Sequence, residues 1–81
     1  MERFRSLEHL QAQVTVVRWH LHAATLDGGE KKRRHLDSAV LTYQGAVELL
    51  AQLTLAEEDK SMITRQLAEL KDRLRAAGQA V

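Results

Sequence analysis

The side chains with the greatest chemical reach in this 81-residue chain are four histidines, three serines and a run of four cations. His9, His20, His22 and His35 are the candidate metal ligands, because imidazole is a common one and cysteine is absent. A helical zinc site sets two histidines four residues apart, so that both rings leave the same face. His20 and His22 are two apart and point to different sides, so no metal is expected. Ser6, Ser38 and Ser61 stand in no nucleophile elbow, and no glycine-rich phosphate loop is present. The carboxylates are scattered as on a salt-bridged helix surface. These observations predict neither catalysis nor a cofactor.

The run Lys31-Lys32-Arg33-Arg34 offers charge for phosphates, anionic lipid or an acidic peptide. Lys and Arg number 12 against 11 for Asp and Glu, a net charge of +1, so no global field draws the chain to nucleic acid. With no aromatics interleaved among the cations, nucleic-acid binding is not expected and the run reads as a solvated loop. No apolar stretch approaches the roughly 20 residues that cross a bilayer. The opening Met1-Glu2-Arg3-Phe4-Arg5 lacks a signal peptide's apolar segment. Together with the lack of cysteine, this predicts a soluble cytoplasmic protein without a transmembrane segment.

The elements that must position these groups are helices. Proline is absent, and Ala, Leu, Arg, Glu and Gln dominate, all of them good helix formers. The pattern predicts an all-α fold: one domain over residues 1–81, built as an antiparallel three-helix bundle. The alternative is a long helical hairpin that oligomerises. Leu7, Leu10, Val14, Val17, Leu21 and Ala24 recur at steps of three and four, which predicts helix 1 at about 3–26, ended by Asp27-Gly28-Gly29. Four cations in a first turn would oppose the helix macrodipole, so residues 28–34 are expected to be loop and helix 2 to run over about 35–55. Its stripe is Leu36, Ala39, Val40, Tyr43, Ala46, Val47, Leu50 and Leu53. The polar segment 56–61 marks a turn, with Thr54 and Glu57 as a candidate capping box and Asp59 or Ser61 as alternative caps. Helix 3 is expected at about 59–77 on Ile63, Leu67, Leu70, Leu74 and Ala77, followed by a frayed tail.

Two helices carry more apolar surface than a three-helix bundle needs. On helix 1, Ala12, Val16, Trp19, Ala23 and Leu26 form a second line roughly opposite the first. Either helix 1 lies between its neighbours and buries both faces, or the Trp19 line docks on a partner or a second copy. On helix 2, Leu41, Gly45 and Leu49 repeat at steps of four away from the main stripe. Glycine inside a helix costs about 1 kcal/mol relative to alanine, so Gly45 is either tolerated or serves close approach of another helix. A chain this short buries only about 60% of its unfolded surface, which makes burial against a partner valuable.

The segment Ala39-Val40-Leu41-Thr42-Tyr43-Gln44-Gly45-Ala46-Val47-Glu48-Leu49-Leu50 resembles the second helix of the microtubule-interacting and trafficking (MIT) domain. Asp72-Arg73-Leu74-Arg75-Ala76-Ala77 is similar to that family's closing helix, and the resemblance spans about two thirds of the chain. The pattern Ala-x-x-x-Tyr-x-x-Ala is shared with tetratricopeptide helix pairs. The resemblance implies a three-helix bundle that binds tails of membrane-remodelling proteins in a groove between helices 2 and 3. That groove would draw on Leu49, Leu53, Met62, Gln66 and Arg73. Length, helicity and surplus apolar faces also fit the small helical co-chaperones or oligomerising subunits of bacterial secretion systems. Both imply a non-enzymatic protein–protein interaction module, with a protein or peptide partner and homo-oligomerisation as a candidate mode.

Overall fold

A computed structural model describes the backbone of residues 2–81 and the side chains of residues 7–81, so the Ser6 side chain lies outside the described residues. The described residues form three helices: α1 (Glu2–Leu26), α2 (Gly29–Gln52) and α3 (Glu57–Ala76). No strand occurs among the described residues, and the three helices pack as an all-α bundle. α1 and α2 pair along most of their length, and α3 lies against both.

The expected stripes form the core. Leu10, Val14, Val17, Leu21 and Ala24 from α1 are buried with Leu36, Ala39, Tyr43 and Ala46 from α2 and Ile63, Leu67, Leu70 and Leu74 from α3. Leu7, Val40, Leu50 and Leu53 pack against this cluster while partly exposed. Two stripe members fall outside it. Val47 is 40% exposed and Ala77 is exposed, Ala77 because it follows the last turn of α3.

The largest departure from the sequence reading is the start of α2, six residues earlier than expected. Lys31, Lys32, Arg33 and Arg34 are exposed residues in its first two turns and do not form a loop. Only Asp27 and Gly28 separate α1 from α2, and Gly29 takes a φ of 58°, in the left-handed region that glycine adopts without strain. Such a tight reversal sets the N-terminus of α2 beside the C-terminus of α1, whose negative dipole end offsets the cations. Lys and Arg are also good helix formers with long stems that keep the charge in water. The dipole penalty, about 0.3–1 kcal/mol per exposed charge, was the weaker effect.

The second break does fall as a turn, at Leu53 to Ala56, but without the expected caps. Ala56 holds the N-cap position with no side-chain bond, while Glu57, Glu58 and Asp59 occupy the first turn and meet the positive dipole end. Leu53 closes α2 by donating its N–H to Leu49 and Leu50 carbonyls at 3.1 and 3.4 Å. At the other end of α3, Gly78 has φ 85°, its N–H donates to the Arg75 carbonyl and Gln79 N–H donates to Leu74, both at 2.9 Å. These paired bonds are a Schellman cap, which turns the chain back. The tail is therefore folded and not frayed: Val81 packs partly on the core and its carbonyl accepts from Arg75 Nε at 3.0 Å.

Candidate functional site

The second apolar line of α1 is not buried inside the chain. Val16 is 41%, Trp19 59% and Leu26 74% exposed, Ala12 is exposed and Ala23 is half-buried. The reading in which α1 spends both faces within the bundle is thereby overturned. Only three helices are available, and the packing against α2 and α3 uses one arc of α1, leaving the other free. On α2, Leu41 is 70% exposed, whereas Leu49 packs partly against the core. Gly45 is half-buried where α2 meets α1, and a methyl group placed on it would sit 3.6 Å from Gln13 Nε2, an ordinary contact. The α1–α2 packing therefore does not require glycine there.

Trp19 is held on this surface by histidines from two helices. His20 and His35 approach with Nδ1 to Nδ1 at 3.0 Å, joining α1 to α2. His35 Nε2 lies 3.3 Å from Asp27 Oδ2. The carboxylate favours a proton on that nitrogen, which leaves His35 Nδ1 as acceptor and His20 Nδ1 as donor. Burial, and then the neighbouring His35, hold His20 below the usual histidine pKa. The Trp19 ring meets both imidazoles edge-on, with centroids 4.9 Å from His20 and 5.4 Å from His35. An aromatic fixed in this way presents its remaining face at little further entropy cost, as anchors of interfaces do.

Sequence spacing treated each histidine alone, so it missed this pair. His20 and His35 are 15 residues apart, and nothing short of the α1–α2 register reveals that they meet. Among the described residues, no group of three or more His, Asp or Glu side chains is placed to hold a metal ion. No helix there is long and apolar enough to cross a membrane.

The residues implied by the MIT resemblance lie on α2, at its C-cap and on α3, in several settings. Leu49, Leu53 and Met62 pack partly on the core. Met62 and Gln66 line a shallow hollow with Arg18 of α1, and Arg73 lines another with Leu21, Ala24 and Lys32. Across the first hollow, Arg18 and Glu69 approach to 3.9 Å, an exposed pair of small energetic weight. Comparison with protein-family models, curated proteins and solved structures gives no match to this chain.

Proposed function

We propose that the chain is a non-enzymatic protein–protein interaction module that docks a helical partner on the outer face of the α1–α2 hairpin. One observation carries this reading: Val16, Trp19, Leu26 and Leu41 are all substantially exposed on the two helices that pair most closely. Scattered exposed leucines need no explanation, but a line of apolar residues around a braced tryptophan does. Covering Trp19 more fully would remove on the order of 100 Å² from water, worth roughly 2–3 kcal/mol at about 25 cal/mol per Å².

A groove for trafficking tails between α2 and α3, as the MIT resemblance implies, has less support, because Leu49, Leu53 and Met62 already serve the core. A helical adaptor, co-chaperone or oligomerising subunit fits the exposed face better. Trp19→Glu tests the reading. The variant should keep its far-UV circular dichroism and lose self-association or partner capture in sedimentation velocity. Should it unfold at every concentration while the wild type stays monomeric throughout, the Trp19 line is structural and the proposal fails.

A further inference from the structure

We infer that the occupant of this face is a second copy of the chain, joined through a two-fold axis beside Leu41. The inference rests on the docking reading above and adds the partner and the register. On α2, Arg34, Ser38, Leu41, Gly45 and Glu48 follow one another at steps of four, three, four and three, so they share one side of the helix. Arg34, Leu41 and Glu48 are exposed, while Ser38 and Gly45 are half-buried, Gly45 beside Gln13 of α1.

A closed two-fold contact is isologous, so the surface must complement itself. When α2 meets its copy antiparallel with Leu41 opposite Leu41, a residue any number of places before Leu41 faces the residue as many places after it. Arg34 is seven places before and Glu48 seven after, so each copy's Arg34 faces the other's Glu48, twice by symmetry. A parallel pairing would instead set Arg34 on Arg34 and Glu48 on Glu48, which repels.

α1 adds apolar surface at the same level. Gly45 lies beside Gln13 and His35 beside Trp19, so Val16 falls between them, alongside the Leu41 turn. The same side of α2 also carries the exposed Glu30 and Asp37. The reciprocal Arg34–Glu48 pairing suits a copy of the same surface, because each copy supplies both signs at matching distances from Leu41.

The test combines a cross-link with a charge exchange in the full chain. Because the sequence has no cysteine, Leu41→Cys introduces a single thiol. On the axis it should form a disulfide-linked dimer on mild oxidation, since the bond requires Cα atoms within about 7 Å. By sedimentation equilibrium the wild type should dimerise reversibly. Arg34→Glu and Glu48→Arg should each weaken the dimer about tenfold or more, and the double exchange should restore it to within about threefold, each variant keeping its helicity. A wild type that stays monomeric overturns the inference. So does a wild-type dimer in which Leu41→Cys does not cross-link or the double exchange gives no rescue. If that unlinked dimer is still abolished by Trp19→Glu, the docking face stands and only the register is wrong.

Discussion

Truncating Leu70 to alanine perturbs the fold where three helices meet. Leu70 is 1% exposed and sits between Leu67 and Leu74 in the only buried stripe of α3. Removing its three outer carbons loses their transfer energy and leaves a cavity, a combination that costs about 2–5 kcal/mol. At roughly 0.05–0.15 kcal/mol per residue, a chain of this length has a total stability of about 4–12 kcal/mol. The substitution therefore removes a large fraction, and at the lower end all of it. Leu41→Ala is the matched control: the same atoms leave from a side chain 70% exposed, and in dilute monomer the change should stay within about 0.5 kcal/mol. Urea denaturation followed by far-UV circular dichroism, at concentrations low enough to keep copies apart, compares the two. Equal midpoints for Leu70→Ala and wild type would refute the packing of α3 described above.

Gly45→Ala should stabilise the monomer by about 0.5–1 kcal/mol, because the added methyl group finds ordinary contact with Gln13 and helical alanine is favoured over glycine. A loss of stability in the same urea titration would mean that α1 and α2 approach too closely there for any side chain. The His20 environment predicts an acid sensitivity. With its folded pKa held down, the unfolded chain takes up the proton first as pH falls, so this contribution is intact above about pH 6.5 and is lost progressively below it. His20→Gln should flatten the dependence of unfolding free energy on pH over that range; an unchanged slope argues against a depressed His20.

Much of the fold was legible because a three-four repeat is a local signal. Ile63, Leu67, Leu70 and Leu74 could be assigned to one face from spacing alone, and the glycine pair marked the break after Leu26, although Gly28 is extended and the left-handed residue is Gly29, at the start of α2. What spacing could not supply depends on which ends and faces meet. The cations at 31–34 were read against the dipole of their own helix, whereas the adjoining C-terminus of α1 changes that balance. The His20–His35 contact needs the α1–α2 register. For the candidate site, the sequence exposed the surplus line on α1 but left two places for it. Only the arrangement of three helices shows that Trp19 stays at the surface.

Trp19 is the only tryptophan, so its fluorescence reports on the proposed docking face directly. Iodide quenching measured across a dilution series, with wild type unlabelled and intact, tests whether that face is covered by another chain. Trp19 should be shielded at high concentration and become markedly more quenchable as the copies separate, with helicity unchanged. Equal quenching from the highest concentration to the lowest would contradict it, because the face would then remain open in every state the chain adopts.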